Sequence, residues 1–128
     1  MDRAGLTGMS FFSGLPDDEL DVVAATAVEV EFAEGQALTT EGNLGHCIFV
    51  VESGEAEIAA SGETIGRIGP GEVVGEIAVL SSGLRTASVV ATTPVRALKL
   101  FKRDVWALEQ TAPEAARRLR AALDGHRA

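Results

Sequence analysis

A single cysteine, Cys47, means that no internal disulfide can hold this chain together, and a reducing, cytoplasmic setting suits it best. There are only two histidines, His46 and His126, far apart in the sequence. Metal catalysis needs clustered His and carboxylate ligands, and no nucleophile–base pair is evident, so the chain does not read as an enzyme and calls for no metal or cofactor. No apolar stretch approaches the roughly 20 residues of a membrane span. The longest apolar run of the first half is Cys47, Ile48, Phe49, Val50 and Val51, which has the length of a strand. No basic segment followed by an apolar one opens the chain, so no signal peptide is expected. Positive charge is scarce. The net charge is −8, which argues against nucleic-acid binding by this chain alone. No internal repeat or low-complexity tract is visible. The glycines between 66 and 75 do not follow dinucleotide-binding spacing, and no Gly-Lys-Ser/Thr exists for a P-loop.

What is present is 128 residues, read as one domain over 1–128. A chain of this length buries about two thirds of its surface and needs no staple. Charge is unevenly spread. Residues 1–66 hold one basic residue, Arg3, against 13 acidic ones, and residues 67–128 hold 10 basic against 6 acidic. The second half is where a small anion would be welcome.

Leu15, Pro16, Asp17, Asp18, Glu19 and Leu20, followed by Val22, Val23 and Ala24, mark a helix over 16–25, with Phe11 and Phe12 anchoring it. The period then changes. Val28, Val30 and Phe32 alternate with Glu29 and Glu31, as in a half-buried strand. Glycines punctuate the rest, with short runs between them at 48–52, 56–60, 65–68, 87–91 and 95–100. This spacing predicts an all-β sandwich or barrel. From Lys102 the helical period returns around Val105, Trp106 and Leu108, with Trp106 and, earlier, Cys47 expected in the core. Thr111 and Glu114 are spaced as a capping box for a last helix. That helix would bury Ala115, Ala116, Leu119, Ala122 and Leu123, turn Arg117, Arg118 and Arg120 to solvent, and end at Gly125.

The densest chemical signal runs from Gly71 to Val89. Val73 and Val74 form a short strand, and Gly75 permits a tight turn. Glu76 to Leu80 can form one helical turn whose free amides favour an anion. Arg85 follows, able to grip two phosphate oxygens at once, held where Thr86 to Val89 re-enters a strand. A carboxylate beside a phosphate makes sense if Glu76 accepts a hydrogen bond from a hydroxyl of the same ligand. Together Glu76 and Arg85 describe an anionic phosphate with an adjacent free hydroxyl.

This segment resembles the phosphate-binding cassette of the cyclic-nucleotide-binding domain family, found in catabolite-activator proteins, protein kinase A regulatory subunits and cyclic-nucleotide-gated channels. The family pattern is Gly-Glu-x-Ala-Leu-Leu, a gap, then Pro-Arg-(Ala/Thr/Ser)-Ala-(Thr/Ser)-Val. Here it reads Gly75-Glu76-Ile77-Ala78-Val79-Leu80 and Leu84-Arg85-Thr86-Ala87-Ser88-Val89. Phe32, Gly35, Glu41, Gly42, the run from Ile48 to Gly54, and Pro113 extend the likeness over nearly the whole chain.

The resemblance implies a mainly β fold: a β-roll, or double-stranded jelly roll, with one N-terminal helix, a short helix in the cassette and two C-terminal helices. It implies a regulatory sensor for cAMP, with cGMP as the other candidate. Arg85 would pair with the cyclic phosphate. Gly75, Ile77, Ala78, Thr86 and Ala87 would line it, and Glu76 would hold the ribose 2′-OH. Ile58, Ile68, Val73 and Val74 would wall the base, with Leu119, Leu123 and His126 as its lid. Leu84 stands where proline is usual, which loosens the loop before Arg85. Thr86 carries the hydroxyl that family members use toward cGMP. The effector stays open, and a homodimer through the C-terminal helices is one arrangement. Two alternatives stand beside the sensor: a degenerate domain that binds protein and no nucleotide, and the sensor fragment of a catabolite-activator-type transcription factor.

Overall fold

The computed structural model describes residues 5, 6, 8–40, 47–74 and 87–125. Three acids, Asp17, Asp18 and Glu19, gather in the first turn of helix α1 (Asp17–Thr26), where carboxylates meet the positive end of the helix dipole. A 3-10 turn, Ser10–Phe12, precedes it and buries Phe12. The strands that follow are β1 (Val28–Phe32), β2 (Ala37–Thr39), β3 (Cys47–Ser53), β4 (Ala56–Ala60), β5 (Glu63–Ile68), β6 (Val73–Val74), β7 (Ser88–Ala91) and β8 (Val95–Phe101). They form two antiparallel four-stranded sheets, ordered β1-β8-β3-β6 and β2-β7-β4-β5. Helices α2 (Lys102–Thr111) and α3 (Pro113–Gly125) close the described chain. This is the expected β-roll with C-terminal helices; the helical turn expected in the cassette lies outside the described residues.

Two hydrophobic cores share the sheet that holds β3. Successive side chains on a strand point to opposite faces, so Ile48 and Val50 join a core beneath the helices, while Phe49 and Val51 join the interior of the roll. That double burial is why the run from Cys47 to Val51 is apolar without alternation. Strand β8 divides in the same way, with Leu98 and Leu100 under the helices and Val95 and Ala97 inside the roll. The crossing of the β3–β4 and β7–β8 turns is too close for a side chain. Gly54 has φ +92°, and a Cβ there would lie 2.2 Å from the Pro94 carbonyl oxygen.

Several expectations are corrected. The capping box of Thr111 and Glu114 does not form. Thr111 still belongs to α2, its hydroxyl donating to the Ala107 carbonyl at 3.3 Å. Ala112 ends α2 through its amide bond to Leu108 and starts α3 by accepting from the Ala116 amide at 3.0 Å. The cap position therefore falls one residue later than the spacing predicted, and Glu114 turns to Arg117 instead. Trp106 is exposed, because α2 packs through its neighbour Val105 and through Leu108, and Trp106 points away from that face. Val28 is exposed at the outer end of edge strand β1, and Cys47 is only half-buried. Arg117 and Arg120 face solvent as expected. Arg118 instead reaches the N-terminal segment, donating to the carbonyls of Phe11 at 3.1 Å and Ser13 at 2.6 Å.

Candidate functional site

The glycine-rich segment is delivered by two fastened ends. On the entering side, the turn before β6 is tied down. Gly71 N donates to the Val51 carbonyl at 2.8 Å, Val51 N donates to the Glu72 carbonyl at 2.9 Å, and the Glu72 carboxylate accepts from Gly69 N at 3.1 Å. Gly71 makes this turn with φ +86°, and a Cβ there would press to 3.0 Å from the Ser10 hydroxyl oxygen. The chain then enters Val73 and Val74, paired with Val50 and Phe49 of β3. On the leaving side, Ala87 is buried, and its carbonyl accepts from the buried Thr39 hydroxyl at 3.3 Å. Strand β7 follows, with Val89 opposite Ile58 and Ser88 opposite Ala59 of β4. Residues 75–86 thus connect the end of one sheet to the start of a strand in the other.

Ile58, Ile68, Val74 and Ala87 all lie in the roll interior, in one cluster with Phe49 and Leu38. The Phe32 and Phe49 rings meet edge-to-face there, centroids 5.4 Å apart. Val73 and Leu119, also named for the base, lie in the other core, beneath the helices, each with no exposed surface. Val73 faces away from Val74 because adjacent strand residues alternate. Gly75, Glu76, Ile77, Ala78, Arg85, Thr86 and His126 lie outside the described residues, as does the side chain of Leu123. Thr39 was not singled out from sequence. A threonine at the end of a short strand is ordinary there, and only the return of β7 beside β2 gives its hydroxyl a role.

The positive charge of the second half is largely engaged elsewhere. Arg96 pairs with Glu31 at 2.7 Å and with Glu29 at 4.0 Å, and the hydrogen bond to Glu31 raises its pKa above the usual value. Arg117 pairs with Glu114, which lowers the carboxyl pKa chiefly through the hydrogen bond from Arg117. Arg120 pairs with Glu109 at 2.6 Å through Nε, and Arg67 lies 3.8 Å from Glu57. Arg103 and Lys99 sit over the Phe101 ring. Among the described residues no three His, Cys, Asp or Glu are placed to hold a metal ion. No described helix is long and apolar enough to cross a membrane.

Comparison with known proteins agrees with this architecture. A family model, the cyclic nucleotide-binding domain, matches residues 29–112, from β1 to the junction of α2 and α3. The chain is 31% identical over 123 residues to a cyclic AMP receptor protein of Thermus thermophilus, covering 92% of this chain and 57% of that protein. It is 33% identical over 96 residues to a cGMP-dependent protein kinase of Caenorhabditis briggsae, covering 75% of this chain and 13% of the kinase. The chain therefore spans little more than half of the first relative and a small part of the second. The crystal structure of Thermus thermophilus catabolite activator protein superposes with a TM-score of 0.75 at 32% identity, covering 87% of this chain and 55% of that one. With two four-stranded sheets, the helices packed on one of them, and a match running through the whole roll, the chain belongs to the cyclic nucleotide-binding domain family.

Proposed function

We propose that this domain is a sensor for cAMP that also admits cGMP, gripping the cyclic phosphate through Arg85 and the ribose 2′-OH through Glu76. Backbone amides of Gly75, Ile77, Ala78, Thr86 and Ala87 complete the phosphate cradle in this reading, and Ile58, Ile68 and Val74 supply the apolar wall for the base. The observation that carries it is the pair of buried, hydrogen-bonded flanks at residues 74 and 87. In this reading, a cassette running from one sheet to the other would offer the Arg85 guanidinium and free amides to an anion whose apolar base rests against Ile58, Ile68 and Val74. Charge supports the same reading. The described arginines are committed to carboxylates, backbone carbonyls or an aromatic ring, and Arg85 is the arginine that stands within the cassette segment itself.

The preference for cAMP draws support from the likeness to a cyclic AMP receptor over nearly the whole chain. The Thr86 hydroxyl, able to meet the 2-amino group of guanine, favours tolerance of cGMP. The output passes through α3 to an effector, by a shift between two states biased by ligand contacts. Calorimetric titration of the chain with cAMP and cGMP tests this reading. Saturable one-to-one binding, tighter for cAMP, is expected. Flat titrations with both nucleotides overturn the sensor reading and leave a protein-binding roll.

A further inference from the structure

Two consecutive residues of β2, Leu38 and Thr39, are both buried, at 8% and 7% exposure. A regular strand turns successive side chains to opposite faces, so one of the two should meet solvent. The β2–β7 ladder explains the exception. Ala37 lies opposite Val90 and Thr39 opposite Val89, so three residues of β2 span two of β7 and the register shifts between them. The extra residue is a β-bulge, and a bulge re-aims the side chains at its step. Leu38 enters the roll interior. Thr39 turns its hydroxyl along β7, past its pairing partner Val89, and donates to the Ala87 carbonyl at 3.3 Å. A buried hydroxyl without an acceptor costs free energy, and the Ala87 carbonyl is the acceptor this one has. The tie differs from those at the entering end. There the turn is held by backbone groups of Val51, Gly71 and Glu72 and by the Glu72 carboxylate of the turn itself. At the leaving end the donor comes from a strand 48 positions earlier, and Ala87 stands two residues after Arg85.

Resting on the sensor reading above, we propose that Thr39 is a positioning residue for cyclic-nucleotide binding, which sets affinity by fixing the Ala87 carbonyl at the point where the cassette enters β7. Thr39 acts through the Ala87 peptide and not on the ligand. A peptide held in place beforehand presents the residues before it without drawing on binding free energy to order them. Without the hydroxyl, that ordering falls to the ligand, and affinity drops. The role belongs to the hydroxyl and not to the bulk of the side chain, so valine, of nearly the same shape, does not replace threonine here.

Calorimetric titration of Thr39→Val and Thr39→Ser with cAMP tests this role. Valine keeps the branched shape and loses the donor, whereas serine keeps the donor. Thr39→Val should raise the Kd about five- to tenfold, the worth of one hydrogen bond. Thr39→Ser should stay within about twofold of wild type. Thr26 supplies the control, because its hydroxyl donates to the Val22 carbonyl at 2.8 Å within α1. Thr26→Val loses a bond of the same kind away from the cassette and should leave the Kd within about twofold. In the ligand-free protein, Thr39→Val should speed amide exchange at Ala87 and Ser88 about five- to tenfold, which ties the loss to this flank. The role of Thr39 is overturned if Thr39→Val binds like wild type, if Thr39→Ser binds as weakly as Thr39→Val, or if Thr26→Val weakens binding as much. Should Thr39→Val not fold, Thr39→Ala against Thr39→Ser makes the same comparison with smaller side chains. A blank titration of the wild-type chain sinks the sensor reading itself, whereas wild-type binding with an unmoved Thr39→Val sinks only the role of Thr39.

Discussion

The two cores of this domain are built differently from shared strands. The helical core collects large side chains with no exposed surface, among them Leu6, Val23, Ile48, Leu98, Leu100 and Leu119. The roll interior is smaller, and it is bordered by the half-buried Val30, Phe32, Cys47 and Ala60. Strands β3 and β8 feed both cores by alternation, so the same backbone serves two apolar faces. The lesson is a division of labour. Apolar burial under the helices fixes the body of the domain, and the roll interior carries the apolar residues proposed as the wall of the base.

Truncation separates the two most sharply. Leu98→Ala should destabilise the fold by about 2–5 kcal/mol in denaturant titrations, the range for emptying a tightly packed site. Under folding conditions it should leave cAMP affinity within about twofold. Ile58→Ala removes a comparable side chain from the roll interior and should show itself in the Kd as well. Equal effects of the two on affinity would erase the distinction between the cores. Next in size, Arg85→Ala should weaken cAMP binding by about 2–5 kcal/mol, as expected for one member of a desolvated charge pair, while unfolding free energy stays within about 0.5 kcal/mol. An unchanged calorimetric Kd would remove Arg85 as the anchor. Glu76→Ala should cost about 1–3 kcal/mol of binding and abolish the preference for cAMP over its 2′-deoxy analogue, so a surviving preference would contradict the ribose role.

The smallest effect concerns pH on the helical side. The Glu114 carboxyl titrates below its ordinary value of 4.5, chiefly because of the hydrogen bond from Arg117. A carboxyl held low in the folded chain favours folding above that ordinary value and loses the contribution as pH falls through the lowered one. Acid titration of Glu114→Gln against wild type should show the two stabilities converging below pH ~4, and parallel curves throughout would assign the pair no share. The effect is small because the pair is exposed.

Much of the fold was legible in the residues. The alternation from Val28 to Phe32 predicted β1 with its observed bounds, and the run at 56–60 did the same for β4. Helix α1 begins one residue after the expected start, because Pro16 occupies the cap position. Strand β5 begins at Glu63, two residues ahead of the apolar signal, since pairing with Ala60 needs only a backbone. Strand β2 went unread for a related reason. Ala37, Leu38 and Thr39 are too few to show a period, and they form a strand only because β7 returns beside them. Within the candidate site, the cassette stood out by composition, and Ile58, Ile68, Val73 and Val74 were grouped only by the family resemblance; the fold puts Ile58, Ile68 and Val74 in one cluster and Val73 in the other. The tethering of Ala87 by Thr39 had no local signal, because the partners are 48 positions apart.

Taken alone, the order of residues determined most of the local elements and pointed to an anion-binding cassette. Periodicity, glycine placement and the conjunction of Glu76 with Arg85 are properties of short stretches of chain. Tertiary structure alone decided which of two adjacent valines, Val73 or Val74, faces the chamber, and it decided what caps the last helix. The local rule assigned that cap to Thr111. The fold gave it to Glu19, because packing α1 against α3 put a buried carboxylate at an amide that its own neighbourhood had left without an acceptor.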